Sequence, residues 1–162
     1  MLYNNKVSRD EILALKKHIA DWKYKGTEST KHHLHSAIYD WDREKQWDKD
    51  TAKVLSLDKC CYAFISYTTR EPRHCTLRHF FTLESSRSKG YGKIMINQIF
   101  ADMKANNVQF FRFFANKPAI KFYEKLGFTW HGLSKTGLPF TYWDIKNKKL
   151  ADLPKSQQRY IV

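Results

Sequence analysis

Two glycines one residue apart, Gly90 and Gly92, stand where a β-forming run ends and a helix-like run begins. Residues 74–83 before them are rich in β-formers. After them, Ile96, Ile99, Phe100 and Met103 mark one helical face across residues 90–106. The pair therefore fixes a strand-to-helix junction in the middle of the chain. A glycine-rich turn there exposes backbone N–H groups at a helix N-terminus, which suits a pyrophosphate. An ordinary strand-to-helix turn is the alternative for the glycines alone.

The rest of the chain can be laid out around that junction. Ser8-Arg9-Asp10-Glu11 reads as a capping box, with Ile12, Leu15, Ile19 and Trp22 at helical spacing behind it and Gly26 as a stop. A second helix is expected from near Thr30, carrying Leu34, Ile38 and Trp41, and the charged stretch 40–50 reads as a connector. Residues 53–57 and 60–69 look like a hairpin pair, followed by a turn at 70–73 and the strand 74–83. Past the helix at 90–106, residues 108–115 form a short apolar run, broken by Arg112, that suits a strand buried on both faces. A short helix at 117–126, closed by Gly127, leads to strands at 128–131 and 140–145, with a loop at 132–139 between them. The basic tail 146–162 shows no periodicity. This order predicts an α+β fold: a mixed, mostly antiparallel sheet flanked by helices, in one domain spanning 1–162.

Twenty-four residues past Gly92 begins Asn116-Lys117-Pro118-Ala119-Ile120-Lys121-Phe122-Tyr123-Glu124-Lys125-Leu126-Gly127-Phe128. Taken with Arg87-Ser88-Lys89-Gly90-Tyr91-Gly92, it resembles the Gcn5-related N-acetyltransferase (GNAT) superfamily, the best-matched region being 53–145. The first motif of that family, Arg/Gln-x-x-Gly-x-Gly/Ala, is met by Arg87, Gly90 and Gly92. The resemblance implies acetyl-CoA as cofactor, its pyrophosphate held by Arg87, Ser88, Lys89, Gly90, Tyr91, Gly92 and Lys93. It implies a bulge near the end of the preceding strand, where the backbone of Thr82, Leu83 and Glu84 pairs with the pantetheine arm. It also implies a cofactor contact from Asn116, which could equally be only a helix cap. The family's usual first strand has just one weak candidate, residues 3–7.

By the same resemblance Tyr123 is the catalytic acid that protonates the departing CoA thiolate; a phenol of pKa about 10 keeps its proton at neutral pH. A tyrosine filling the core is the competing reading. The base is open. Some members carry a glutamate where Thr76 falls here, and His79, Glu84, His131 and Asp144 remain candidates. Arg78 is a cation that would favour an anionic substrate.

Other groupings point less far. His32-His33-Leu34-His35 lacks partner ligands, and Cys60, Cys61, His74 and Cys75 lack zinc spacing, so no metal is expected. The odd cysteine count suggests reduced thiols and a cytoplasmic protein; no apolar run approaches a membrane span. A covalent acetyl-cysteine route is chemically available, although a strand thiol is more often inert packing. Trp22, Trp41 and Trp47 could stack on bases or fill a core.

The charge decides more. Residues 59–162 hold 18 Lys+Arg against 6 Asp+Glu, net +12 of the chain's +13. CoA carries roughly four negative charges, so steering the cofactor alone needs only a few of these cations. The excess suggests a polyanion, most simply nucleic acid, or else a merely solvated surface; the tail cations Lys146, Lys148, Lys149, Lys155 and Arg159 divide the same way. The expected enzyme acetylates an amine by direct attack in a ternary complex, as a monomer or homodimer, with the acceptor amine on tRNA or DNA. A small amine or protein amine is the alternative acceptor, and a GNAT-like nucleic-acid-binding module without catalysis is the rival of another class.

Overall fold

The structure is a computed structural model that describes residues 2–7, 42–43, 50–58, 60–68, 71, 73–82 and 84–162. The two expected N-terminal helices, the His32–His35 group and Trp22, Trp41 and Trp47 lie outside the described residues, as does Leu83.

Among the described residues the elements run β1 (Leu2–Val7), β2 (Asp50–Leu57), β3 (Cys61–Thr68), β4 (His74–Thr82), α1 (Tyr91–Ala105), β5 (Phe110–Phe114), α2 (Ile120–Lys125), β6 (Gly132–Leu133), β7 (Pro139–Asp144), β8 (Lys149–Leu150) and α3 (Lys155–Gln158). One sheet has the order β1-β2-β3-β4-β5-β7-β6, with β8 on β7. Every pairing is antiparallel except β4 with β5. The expected mixed, mostly antiparallel sheet is present, and the weak candidate at 3–7 is its edge strand.

The core lies between α1 and one sheet face. Met95, Ile96, Ile99 and Met103 recur at helical spacing and pack on Leu55, Ala63, Ile65, Leu77, Phe111 and Phe113. Inside this layer the Lys53 ammonium bonds the Asp102 carboxylate at 2.8 Å. Tyr67 donates to the same carboxylate, so a charge on α1 is buried with its partners.

Two features of β4 shape the site. Phe64 and Ile65, consecutive on β3, face His79 and Leu77, so Arg78 is an extra residue. The bulge reverses the strand's parity. Cys75 and Leu77 face α1 before it and Phe80 after it, while His79 and Phe81 turn to the other face, where Phe81 stacks on Tyr62. A bulge also bends the strand. The second feature follows: β4 and β5 pair only from His74–Phe110 to Thr76–Arg112, whereas β5 stays on β7 as far as Phe114. Past Thr76 the parallel strands part.

Three expectations need correction. The strand expected at 128–131 is not formed. Gly127 takes φ 94° as the α2 stop, and the Phe128 N–H bonds the Tyr123 carbonyl at 3.1 Å, turning Phe128 into the core. Pairing with β7 starts only at Gly132, inside the expected loop. A bulge sits at Arg78; Leu83, in the segment Thr82-Leu83-Glu84 where one is expected, lies outside the described residues. The tail is folded: Gln157 is wholly buried, and the Val162 N–H bonds the Leu133 carbonyl at 2.9 Å.

The strand 108–115 is also not buried on both faces by apolar side chains alone. Phe114 is exposed and Arg112 is buried. The Arg112 Nε donates to Thr76 Oγ1 at 2.9 Å, and its Nη1 donates to Glu71 at 2.5 Å and to Gln157 Oε1 at 2.8 Å. The Gln157 amide nitrogen donates to Glu71 at 3.0 Å. Arg112 thus fastens the last parallel rung, the turn before β4 and the C-terminal segment together.

Candidate active site

The turn between β4 and α1 presents groups that can receive an anion. Arg87 donates from Nε to the Thr82 carbonyl at 3.1 Å, tying the loop to the strand it leaves. Ser88 and Gly90 adopt φ 63° and 84°, so the chain reverses twice. Only at Gly90 does the backbone itself demand glycine among the pair. The first N–H groups of α1, from Tyr91 to Lys93, have no acceptor within the helix. Its first turn carries no acidic residue, and Arg87, Lys89 and Lys93 stand exposed around it. Tyr91 packs against the core at this end. The Cys60 sulfur beside its hydroxyl, by charge and then by hydrogen bond, holds the phenol above its usual range.

Gly92 has a different reason to be glycine. A Cβ there would come within 2.8 Å of the Phe122 ring. Phe122 is the side chain that α2 lays on α1. It stacks on Phe80 of β4 at 5.8 Å between centroids and lies 5.1 Å from Tyr123. The turn, the β4 strand past the bulge and α2 therefore meet at one aromatic junction.

Tyr123 is only 4% exposed. Its ring packs on Phe113 at 4.5 Å, Phe128 at 5.8 Å and Phe80 at 6.3 Å. Its hydroxyl makes no hydrogen bond with any described residue. Burial, and then the neighbouring Cys61 thiol, push the phenol well above its ordinary range. The ring is core, and the hydroxyl is a protonated donor with no protein acceptor among the described residues. Asn116 is exposed at the N-cap position of the 3₁₀ turn Lys117–Ala119, but its side chain caps nothing; only its carbonyl accepts, from Ala119 N at 2.8 Å.

The candidate bases separate. Thr76 is taken by Arg112. Asp144 accepts from Lys146 N, Asn147 N, Asn147 Nδ2 and Gln109 Nε2. Burial alone would raise its carboxyl, but these bonds outweigh it and hold it below the usual range. It closes a turn. His79 lies across the sheet from Tyr123 because of the bulge. His131 Nε2 is 3.4 Å from the Tyr142 carbonyl, a long contact. Arg78 donates from Nε to the buried Ser66 hydroxyl at 2.8 Å. Cys60, Cys61 and Cys75 are buried free thiols, Cys61 accepting from Thr82 Oγ1 at 3.3 Å.

The Glu71–Arg112–Gln157 cluster was not anticipated. Its one trace in the sequence is a lone arginine within Phe110-Phe111-Arg112-Phe113-Phe114.

The pieces fit a CoA thioester: an anion-receptive turn at the end of β4, an opening between β4 and β5, and a phenol donor beside both. The sequence pattern of the Acetyltransferase (GNAT) family matches residues 17–128. No curated protein matches the sequence. Among solved structures, an acetyltransferase from Thermus thermophilus is similar at 15% identity and TM-score 0.59, covering 90% of this chain and 97% of its own. A GNAT-family acetyltransferase from Desulfovibrio desulfuricans gives 11% and 0.57, covering 89% and 98%. The PaiA N-acetyltransferase of Thermoplasma acidophilum, solved with coenzyme A, gives 14% and 0.52, covering 86% and 97%. At these identities the structures speak for the fold, and the family match for membership. The chain belongs to the acetyltransferase (GNAT) family, whose enzymes draw on acetyl-CoA.

Proposed function

We propose that this acetyltransferase, a single domain over 1–162, acetylates an amine carried on a nucleic acid, through direct attack in a ternary complex. The parting of β4 and β5 past Thr76, with the anion-receptive turn at one end and the Tyr123 hydroxyl beside it, carries the catalytic part. Acetyl-CoA supplies the activated acetyl group as a thioester. The N–H groups and cations from Arg87 to Lys93 hold its pyrophosphate, and Asn116 adds a contact at the end of β5. The backbone about Thr82, Leu83 and Glu84 would pair with the pantetheine arm. Tyr123 holds a proton at neutral pH and gives it to the departing thiolate.

Charge is what supports this acceptor. The described Lys and Arg side chains are mostly exposed; Lys53, Arg112 and Arg159 are engaged in ion pairs. A surface this basic repels polyamines and gathers polyanions. Incubation with labelled acetyl-CoA against separate pools of tRNA, DNA, protein and small amines tests the assignment. Label in a nucleic-acid pool is expected. Label confined to protein or small amines would replace this acceptor with the other.

A further inference from the structure

A second concave site lies at the opposite end of β4 from the cofactor turn. Arg73, Lys104 and Lys146 ring a hollow of about 380 Å³, with Asn107 and Gln109 on its wall and Val108 and Ile145 as a buried floor. No described carboxylate pairs with any of the three cations. Each stands on pinned backbone. The Arg73 carbonyl accepts from Gln109 N at 3.0 Å and Phe110 N at 2.9 Å, and its guanidinium lies 5.7 Å from the Phe110 ring. Lys104 sits in the last turn of α1, where its carbonyl accepts from Asn107 N at 3.1 Å. The Lys146 N–H is held by Asp144 at 2.9 Å.

The nearby negative groups are already engaged. Asp144 is saturated by four hydrogen bonds, and the terminal carbonyls of α1 take the N–H groups of Asn106, Asn107 and Val108. Three cations against one carboxylate leave a positive hollow.

We propose that this hollow binds the phosphate backbone of single-stranded RNA, and so docks the acceptor. The inference rests on the nucleic-acid reading above. The hollow and Thr82 lie at the two ends of a nine-residue strand, roughly 25 Å apart. A small amine cannot touch both, whereas a strand of several nucleotides can. The volume admits one unstacked nucleotide over an apolar floor, while a duplex keeps its bases paired and stacked. Gln109 has its amide nitrogen committed to Asp144, which leaves its carbonyl oxygen to accept from a ribose 2′-hydroxyl, the group that distinguishes RNA.

The test is fluorescence anisotropy of a labelled 12-nucleotide single-stranded RNA over a salt series, with a single-stranded DNA of the same sequence and a DNA duplex as further arms. Lys104→Gln/Lys146→Gln is compared with Lys135→Gln/Lys155→Gln, which removes the same charge from exposed positions elsewhere. The groove double is expected to bind RNA at least tenfold more weakly, with a log–log salt slope shallower by about 1.4, at about 0.7 per phosphate contact on a single strand. Its affinity for acetyl-CoA by calorimetry should match wild type. Equal weakening by the two doubles would overturn the hollow as the site while leaving the nucleic-acid reading standing. A flat salt slope for the wild-type protein would remove that reading and the proposal with it. Equal binding of the DNA strand or the duplex, lost equally in the groove double, would overturn RNA as the ligand.

Discussion

The ring of Phe122 on α2 lies against Gly92 in the first turn of α1, so close that a Cβ at Gly92 would sit 2.8 Å from its Cζ. The second glycine of the turn is therefore set by helix packing as much as by any ligand. Phe122 is hemmed by Phe80 and Tyr123, so it cannot swing away freely.

Gly92→Ala should accordingly displace α2. Overpacking of this kind costs typically about 1–3 kcal/mol, and the expected result is a lower melting temperature together with weaker acetyl-CoA binding. Phe122→Leu on the Gly92→Ala background should recover most of the stability. Failure of that rescue would show that the strain lies elsewhere.

Tyr123→Phe separates chemistry from packing. The hydroxyl makes no hydrogen bond to any described residue, so its loss should change stability by less than about 1 kcal/mol. A large fall in kcat at unchanged melting temperature is then expected, with little change in KM for acetyl-CoA. The pH profile adds a second readout. A general acid must be protonated, and burial raises this phenol, so its deprotonation should cause no alkaline loss of rate below about pH 10. An unchanged kcat across acceptors would end the acid assignment.

The sequence revealed the local elements far better than the contacts that join them. Gly90 and Gly127 mark left-handed turns that short-range sterics demand, and the stripe on α1 has the periodicity of its burial. The bulge at Arg78 carried no such mark, because the extra residue is defined by its partners on β3. It moved His79 across the sheet, a parity change that strand alternation alone cannot reveal. Gln157 looked like one more polar residue in a basic tail. Its burial depends on Glu71 and Arg112, 86 and 45 residues away.

That cluster makes stability depend on acid pH. Burial alone would raise the Glu71 carboxyl, but the hydrogen bond and charge of Arg112, joined by Gln157, outweigh it and hold the group below its ordinary 4.5. A depressed carboxylate contributes stability that is present above the unfolded value and lost as pH falls through the folded one. Wild-type protein should thus lose more stability than Glu71→Gln as pH drops below about 4.5, measured by urea melts. At neutral pH, Arg112→Met should cost about 3 kcal/mol, since it strands a partly buried carboxylate. The double variant Arg112→Met/Glu71→Gln should be less destabilised than Arg112→Met alone. Additive losses would count against the pair.

Cys61 distinguishes direct attack from a covalent route. It pairs with Thr82 at the end of the β3–β4 ladder, accepts the Thr82 hydroxyl at 3.3 Å and is wholly buried. Burial is the main cause of a thiol pushed up to about 11; the Thr82 hydrogen bond works against it and Cys60 adds to it. Since the thiolate is the nucleophile, this sulfur is inert at neutral pH despite lying close to Tyr123. Native protein at about pH 8 should therefore leave Cys61 unmodified by a disulfide reagent until it unfolds, as read by mass spectrometry of the labelled peptide. Cys61→Ala should keep most of its turnover, with a modest loss of stability from the small cavity and the lost acceptor for Thr82. If Cys61→Ala abolishes turnover while the melting temperature and acetyl-CoA affinity hold, the acetyl group passes through the thiol and direct attack by the amine is wrong.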